Sequence, residues 1–521
     1  MSRAATAAEI RQSVASGERS AESVARACLD RIAAIDGGIN AFLQVFEDRA
    51  LARARAVDAR LAAGESAEAI GPLAGVPVAV KDNLCTGFGR TTCASRMLES
   101  YESPFSATAV ERLEAAGAVI VGKTNLDEFA MGSSGEHSAF GPTKNPWDPS
   151  RVPGGSSSGS AAAVAAGMVP VALGSDTGGS IRQPAALTGT VGFKPTYGRV
   201  SRWGLVAFGS SLDQIGPITR TVEDASLVFD TISGRDARDA TCLDRDAAST
   251  HADLEAPLDG LKLAVPAQAR DESIDPRVRL VFGLACKMLS EMGAELVEVE
   301  LPSPDQMLAA YYMVAPAEAS SNLARYDGVR YGRRAELAQG DDLMQLYCRS
   351  RSEAFGSEVQ RRIMLGTHVL RAGYADQYYV RALKMRRLIR SDYDAILGVM
   401  GCDAVLTPTT PGVAFGLGTK VGAKVGQGPD SGVDPMELYA EDMLTVGANL
   451  AGLPAISLPA GFIPVQGPAE GDADGPGGSA QLPVGVQLTG SALGEASLLR
   501  VARAFEARAS LSGRVAPVAG G

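Results

Sequence analysis

The length and composition of the chain are those of a folded protein with one large or several average domains. It has 521 residues, of which 45% are hydrophobic and 21% are charged, and 59 of them are glycine. Its formal charge of −11 excludes a broad basic surface that would neutralise nucleic-acid phosphates. We therefore expect any RNA that the protein serves to be held by a partner.

The cysteines and the apolar runs indicate where the chain acts. Its seven cysteines include no CxxC pair and are odd in number, which favours reduced thiols over a disulfide framework. Met1 to Arg11 lacks the apolar stretch of a signal peptide, and no run approaches the roughly 20 apolar residues that span a bilayer. We expect a cytoplasmic protein without a membrane segment.

The first part of the chain predicts helices and then a buried strand. Residues 1–62 are rich in Ala, Glu and Arg, with apolar residues at near-helical spacing, and predict a helical N-terminal preface. The run GPLAGVPVAVK, Gly71 to Lys81, is valine-rich and follows turn residues, which is typical of a buried strand.

Strand and helix then alternate, which predicts an α/β sheet with helices on its faces. The predicted elements are a helix over 107–116, a strand over 118–121, a helix over 157–167, a strand over 169–174 and a helix over 181–187. A polar boundary near 233–258 precedes a strand over 261–265, a helix over 276–292 and a strand over 294–299.

The last third predicts long helices and then more strands. Helical periodicity runs over 341–390 and a strand-turn series over 404–487, interrupted by exposed loops at 416–435 and 465–478. We expect one domain over 63–510, following the preface, and a flexible C-terminal tail over 511–521.

Two serines follow glycine pairs, with one predicted helix and one predicted strand between them. They are Ser156, after Gly154-Gly155, and Ser180, after Gly178-Gly179. A helix followed by a strand returns the chain near its starting point, so the two hydroxyls can meet. The turn from Thr177 to Ser180 precedes a predicted helix and favours an oxyanion site of backbone N–H groups. Ordinary glycine-rich turns remain the alternative; a phosphate loop is disfavoured because no Gly-Lys-Ser/Thr ending follows.

A nucleophilic serine needs a base. Histidine is the usual one, and the chain has His137, His251 and His368. Lys81 is the other candidate, because burial at the end of an apolar strand would lower its pKa and leave neutral amine. The alternative interpretation of Lys81 is a solvent-facing strand end.

Three segments together resemble the amidase signature family: Lys81-Asp82-Asn83, the Gly-Gly-Ser-Ser block at 154–157 and the stretch 174–182. The resemblance implies a large mixed sheet covered by helices on both faces. It also implies Ser180 as nucleophile, Ser156 as proton relay across a cis peptide bond, Lys81 as base, and an oxyanion hole formed by Thr177, Gly178, Gly179 and Ser180.

Further stretches resemble one branch of that family, the glutamine-hydrolysing subunits of tRNA-dependent amidotransferases. They include GKTNLDEFAMGSS at 122–134, AEASSNLARYDGVRYGRR at 317–334 and NLAGLPAISLPAG at 449–461. The resemblance implies a subunit that hydrolyses glutamine and supplies ammonia to convert Glu-tRNA(Gln), or Asp-tRNA(Asn), to its amide. A free-standing amidase acting on another carboxamide and a non-catalytic scaffold subunit remain alternatives.

The branch also implies the residues that bind glutamine. Arg362 resembles the residue that grips the α-carboxylate, a task suited to a guanidinium fork. Asp442 resembles the partner of the α-ammonium, and Tyr311 resembles an additional substrate contact. Without the resemblance, Arg362 and Asp442 are interpreted as surface helix charges.

Partners and cofactors follow from the same resemblance. A B subunit is expected to bind the charged tRNA and to use ATP and magnesium, and a C subunit is expected to clamp the heterotrimer. This chain is expected to need no cofactor and no metal. Ser158 stands where the family commonly has glycine, and we expect it to be tolerated.

Overall fold

The computed structural model describes residues 4–256, 260–420, 435–465, 480–511 and 513–518. Its helices are α1 Ala7–Ala15, α2 Ala21–Ile39, α3 Glu47–Ala62, α4 Ala67–Ile70, α5 Thr108–Ala115, α6 Ser158–Ala165, α7 Arg182–Thr188, α8 Val222–Ile232, α9 Pro276–Glu291, α10 Pro304–Asn322, α11 Leu343–Ala354, α12 Ser357–Val369, α13 Tyr379–Asp394, α14 Pro435–Tyr439, α15 Val446–Ala451 and α16 Glu495–Ala509. Its strands are β1 Phe42–Val45, β2 Pro77–Lys81, β3 Val119–Thr124, β4 Val171–Asp176, β5 Val191–Lys194, β6 Gln214–Thr219, β7 Lys262–Pro266, β8 Glu295–Val299, β9 Ala404–Pro408, β10 Ala455–Val465 and β11 Ala480–Gly490.

The strands form one mixed sheet of 11 strands in the order β1-β3-β2-β4-β6-β5-β10-β11-β9-β7-β8. β2 pairs in parallel with β3 and β4, and β7 pairs in parallel with β8 and β9. The remaining neighbours are antiparallel. Because β2 and β4 are parallel neighbours, residues at their carboxyl ends meet at the same edge of the sheet.

Helices cover both faces of this sheet. On β7, Leu263 and Val265 belong to a hydrophobic cluster that includes Phe282 of α9. Ala264 lies between them and belongs to a second cluster, which includes Met307 of α10. Side chains alternate between the two faces of a strand, so α9 and α10 pack on opposite faces. The predicted fold class, a large mixed α/β sheet covered by helices, is confirmed.

Some elements differ from the sequence prediction. The prediction of a strand-turn series over 404–487 was wrong for the middle of that range, where α14 and α15 lie between β9 and β10. The segment predicted as a helical preface also contributes β1, which pairs antiparallel with β3 at the sheet edge. The predicted loops 416–435 and 465–478 lie mostly outside the described residues, which leave out 421–434 and 466–479.

Three further observations bear on the expected character of the chain. None of the described helices is long and apolar enough to cross a membrane. All seven cysteines are among the described residues, and each is a free thiol. Within the predicted C-terminal tail, Ala516 is 4% exposed and its N–H donates to the carbonyl of Ala165 at 2.9 Å.

Candidate active site

Three chain segments meet at the carboxyl ends of β2 and β4. Lys81 is the last residue of β2, and β4 ends at Asp176. Ser156 lies two residues before α6, and Ser180 lies two residues before α7. The backbone N–H of Ser157 donates to the carbonyl of Ser180 at 3.1 Å, which joins the two serine turns directly.

Lys81 lies at the centre of a buried group of hydroxyls. Its side chain is 0% exposed. Its Nζ lies 2.8 Å from Oγ of Ser156, 2.9 Å from Oγ of Ser157 and 2.9 Å from Oγ of Ser175. The interpretation of Lys81 as a solvent-facing strand end is therefore wrong.

The surroundings of Lys81 favour a neutral amine. Burial lowers the pKa of Lys81 to about 7, although the carboxylates of Asp127, Asp176 and Asp213 act in the opposite direction. An ammonium donates to all three hydroxyls, whereas a neutral amine donates to two and accepts from the third. The geometry thus admits both the protonated and the unprotonated state, as a proton acceptor requires.

The peptide bond between Gly155 and Ser156 is cis, as the resemblance implies. The N–H of Gly155 donates to Oε1 of Gln183 at 2.9 Å, and the carbonyl of Ser156 accepts from the N–H of Asp127 at 3.2 Å. A Cβ on Gly155 would lie 2.0 Å from Oδ2 of Asp127, so no larger residue fits without displacing that carboxylate. These contacts fix the direction in which Ser156 presents its hydroxyl to Lys81.

The turn from Thr177 to Ser180 presents unpaired donors. None of its four backbone N–H groups donates to any residue that the structure describes. Gly179 has φ +143°, and a Cβ there would lie 2.3 Å from Oγ1 of Thr445. Ser180 is 8% exposed, whereas Ser156 and Lys81 are 0% exposed. The turn therefore offers a hydroxyl with some access to solvent, beside donors suited to a developing oxyanion.

A buried ion pair holds this turn. The guanidinium of Arg182 contacts both oxygens of Asp176, with Nε to Oδ2 and Nη2 to Oδ1 each at 3.0 Å. Burial would raise the pKa of Asp176, but the charge and hydrogen bonds of Arg182 lower it to about 2. Asp176 also accepts from the N–H of Ile181 at 3.2 Å, which ties the carboxylate to the residue after Ser180.

Tyr311, on α10, lies against the same turn. A Cβ on Gly178 would lie 2.7 Å from the Tyr311 hydroxyl, so glycine at 178 makes room for the tyrosine. The ring of Tyr311 contacts that of Tyr312, with centroids 5.0 Å apart in an edge-to-face arrangement. The next residue, Tyr312, contacts both Arg362 and Asp442.

Arg362, on α12, is 2% exposed and held by one carboxylate. Its Nε donates to Oε1 of Glu358 at 2.8 Å, and its Cζ lies 5.4 Å from the ring centroid of Tyr312 and 5.3 Å from that of Tyr439. Among the described residues, neither Nη group of Arg362 has a hydrogen-bond partner. This leaves the outer fork of the guanidinium available to an anion.

Asp442, in the short 3-10 helix Ala440–Asp442, is 6% exposed. Ser133 donates to it at 2.9 Å and Tyr312 at 3.1 Å. Burial raises the pKa of Asp442 to about 7, although these two hydrogen bonds and Arg362 lower it. The interpretation of Arg362 and Asp442 as surface helix charges is wrong, since both are buried and both lie against Tyr312.

Several contacting residues were not predicted from the sequence. Ser157 and Ser175 provide two of the three hydroxyls that surround Lys81 Nζ. Ser175 also accepts a hydrogen bond from Asn83 at 2.9 Å. Ser133 and Glu358 support Asp442 and Arg362. All of these residues except Glu358 lie inside the quoted motifs. Nothing in the sequence near Glu358 pairs it with a substrate residue except its spacing of four from Arg362.

The side chain of Ser158 fits because the residue packed against it, Gly135, has no side chain. It is 0% exposed, and its hydroxyl donates to Oγ1 of Thr143 at 3.2 Å. A Cβ on Gly135 would lie 2.5 Å from Cβ of Ser158, so the missing side chain at 135 provides the space that Ser158 fills. Ser158 makes no contact with Lys81 among the described hydrogen bonds.

The described part of the chain contains no cluster of three or more His, Cys, Asp or Glu side chains arranged to hold a metal ion. With its own residues the site presents a serine hydroxyl beside unpaired N–H donors, and a second serine hydrogen-bonded to a buried lysine. These groups are of the kinds used in nucleophilic catalysis.

Comparison with known proteins places this geometry among amidases. Residues 23–499 match the family described as Amidase. The glutamyl-tRNA(Gln) amidotransferase A subunit of Symbiobacterium thermophilum is 51% identical over 501 residues, which cover 96% of each chain.

Two solved structures are similar over almost the whole chain. One is the crystal structure of the glutamyl-tRNA(Gln) amidotransferase A subunit from Thermotoga maritima, with a TM-score of 0.74 and 43% identity, covering 99% of this chain and 97% of that one. The other is the native peptide amidase from Stenotrophomonas maltophilia, with a TM-score of 0.79 and 32% identity, covering 99% and 98%.

Proposed function

The chain belongs to the amidase family, and from this we propose that it is the glutamine-hydrolysing subunit of a tRNA-dependent amidotransferase. The observation that carries the proposal is the buried pair of Arg362 and Asp442, which share Tyr312 as a neighbour beside the nucleophile turn. A cation and an anion fixed at this place match the α-carboxylate and α-ammonium of free glutamine. The 51% identity to a glutamyl-tRNA(Gln) amidotransferase A subunit supports the same function.

In the proposed mechanism, Ser180 Oγ attacks the side-chain carbonyl carbon of glutamine. Ser156 takes the proton of Ser180 and passes its own proton to neutral Lys81, while the N–H groups of Thr177 to Ser180 stabilise the oxyanion. The relay then returns a proton to the leaving nitrogen. Ammonia departs, and the glutamyl ester on Ser180 is hydrolysed by water.

The ammonia is the product that the assembly uses. A B subunit binds Glu-tRNA(Gln), or Asp-tRNA(Asn), and activates its carboxylate with ATP and magnesium, and a C subunit joins the heterotrimer. The chain works in the cytoplasm and contributes no cofactor of its own. Its charge of −11 agrees with tRNA being held by the B subunit.

A free-standing amidase acting on another carboxamide is the second candidate, favoured by the 0.79 TM-score to a peptide amidase. Such an enzyme needs the serines and the lysine but no paired charges for a free amino acid. Whether Arg362 and Asp442 bind the substrate therefore distinguishes the two functions.

Arg362→Lys is expected to raise KM for glutamine by about ten- to a hundredfold, because an ammonium cannot replace two parallel guanidinium hydrogen bonds to a carboxylate. Steady-state ammonia release measures the effect. Labelling of Ser180 by a serine-directed fluorophosphonate should keep its wild-type rate, because that reagent carries no α-carboxylate. An unchanged KM would favour the free-standing amidase.

The pH dependence of the reaction is expected to show two groups near neutrality. The pKa of Lys81 is lowered to about 7 and that of Asp442 is raised to about 7. Lys81 acts as a neutral amine and Asp442 as a carboxylate, so both groups must lose a proton. Below this range, kcat/KM should therefore fall with a limiting slope approaching two on logarithmic axes.

The slope for kcat should be different, because bound glutamine holds Asp442 ionised through its ammonium. We expect kcat to fall with a slope of one below about pH 7, from Lys81 alone. In Asp442→Asn the slope of kcat/KM should also become one. Activity that stays constant down to pH 5 in the wild type would contradict the assignment of Lys81 as base.

The proposed function is tested by measuring ammonia release from glutamine by the chain alone and with candidate B and C subunits, with and without charged tRNA. We expect release to increase with the subunits and tRNA and to disappear in Ser180→Ala. Equal cleavage of simple amides, with no response to the partners, would overturn the proposal in favour of a free-standing amidase.

A further inference from the structure

Glu128 is a buried carboxylate that the proposed mechanism does not use. It begins the short 3-10 helix Glu128–Ala130 and is 2% exposed. Its Oε1 accepts a short hydrogen bond from the hydroxyl of Ser95, and its Oε2 accepts from the backbone N–H of Gly356 at 2.7 Å. Burial raises the pKa of Glu128 to about 7, although the hydrogen bonds from Ser95 and Gly356 favour its ionised form.

The contact with Gly356 lies at the start of α12, the helix of Arg362. Gly356 is the N-cap residue and has no side chain to cap the helix. In a capping box the N-cap N–H is satisfied by a Glu or Gln at the third helical position, but here that residue is Val359. Glu128, 228 residues away in sequence, provides the acceptor instead.

Glu128 also belongs to the segment that supports Asp442. Five residues after Glu128, Ser133 donates to both carboxylate oxygens of Asp442 at 2.9 Å. One side chain therefore links the helix that carries Arg362 to the segment that holds Asp442.

α12 is closely packed at two glycines, one at its N-cap and one near its C-terminal end. A Cβ on Gly356 would lie 2.4 Å from Oε2 of Glu128, and one on Gly366 would lie 1.9 Å from the carbonyl oxygen of Pro316 on α10. Arg362 lies between these two fixed points. Since α10 also carries Tyr311, α12 is held between the tyrosine helix at one point and Glu128 at the other.

We propose that Glu128 is a positioning residue for glutamine: through the N-terminus of α12 it sets the distance from Arg362 to Asp442, and thereby the selectivity of the site for a substrate with both an α-carboxylate and an α-ammonium. The inference rests on the proposed function, because it assigns glutamine to that pair. Glu128 itself contacts neither the triad nor the substrate.

Glu128→Gln tests the proposal in the assembled enzyme. Glutamine at 128 can still accept from Gly356, but only if its amide nitrogen faces Ser95, whose hydroxyl must then accept instead of donate. The charge of the carboxylate is lost from both contacts, which weakens them. We expect KM for glutamine to rise about tenfold while kcat changes less than about threefold, because the positioning of the substrate ends suffers and the triad does not. Fluorophosphonate labelling of Ser180 should proceed at the wild-type rate.

Gly356→Ala perturbs the same contact from the other side. Gly356 has φ −68°, which alanine adopts without strain, so its added methyl acts only by displacing Glu128. We expect the same rise in KM. The double variant should be little worse than either single variant, because both remove one shared interaction.

Asp224→Asn is the matched control. Asp224 is also buried and also accepts from the first backbone N–H groups of a distant helix, those of Ala7 and Ala8 at 3.0 Å. It lies against α1 rather than α12. Its replacement is expected to lower the melting temperature without changing KM for glutamine.

The outcomes separate the two levels of inference. Additive effects of Glu128→Gln and Gly356→Ala, an unchanged KM, or equal losses of glutamine turnover and of Ser180 labelling would overturn the positioning role. If Arg362→Lys also leaves KM unchanged, the glutamine site itself is wrong, and the proposed function fails rather than the role of Glu128 alone.

Discussion

Ser180→Ala is expected to abolish glutamine hydrolysis, with kcat falling about a millionfold, as when a serine nucleophile is removed from other triads. The hydroxyl of Ser180 forms the covalent bond, and no neighbouring group can replace it in the acyl-enzyme. Binding should survive, because Arg362 and Asp442 are untouched. Isothermal titration should give a glutamine Kd within about threefold of the wild type.

Ser158→Gly is the control for this result. Ser158 lies in the other serine turn, but its hydroxyl bonds to Thr143 and not to Lys81. Glycine at 158 also restores the residue that the family commonly has. We expect activity within about threefold of the wild type. A loss as large as that of Ser180→Ala would contradict the division of roles among the serines.

Lys81→Met is expected to lower kcat by about ten-thousandfold, the upper end of the contribution of a general base. Methionine fills much of the space but accepts no proton from Ser156. Lys81→Arg should not restore activity, because a guanidinium stays protonated at all accessible pH values. Ammonia release under saturating glutamine measures both variants.

The control for Lys81 is a second buried lysine. Lys194 is 0% exposed, and burial lowers its pKa to about 7 as well. Its Nζ donates to backbone carbonyls, those of Pro195 and Leu453, and not to a serine. Lys194→Met should therefore reduce stability while kcat stays within about tenfold. If Lys194→Met lowered kcat as much as Lys81→Met does, the low kcat of Lys81→Met would not identify Lys81 as the base.

The strand and helix ends that carry the catalytic candidates could be predicted, because the residues that mark each end lie close to it in sequence. Lys81 ends a valine-rich run, and glycine pairs precede Ser156 and Ser180 at the start of two helices. Each signal lies within about ten residues of the group that it marks. The parallel pairing of β2 with β4 then brings the segments together.

The substrate side of the site could not be worked out in the same way. Arg362 and Asp442 are placed by Glu358 and Ser133, and these contacts form only when α10, α12 and the 3-10 helix at 440–442 pack together. α10 itself was missed, since its apolar residues surround the helix instead of forming one stripe, and Pro316 lies inside it. Only the resemblance to a family pointed to these positions.

The order of the strands was also beyond local patterns. β10 pairs with β5 and β11 with β9, across connections of many residues. Nothing in the periodicity of a strand names its neighbour. The mixed sheet was expected from the family resemblance and not from alternation alone.

The central claim is that Ser180 carries a glutamyl ester during turnover. Acid quenching of the enzyme during steady-state hydrolysis of carbon-labelled glutamine, followed by digestion and mass spectrometry, tests it most directly. We predict the label on the peptide that contains Ser180, present in the wild type and absent from Ser180→Ala. Ammonia release without any label on that peptide, or with the label on another residue, would contradict the mechanism.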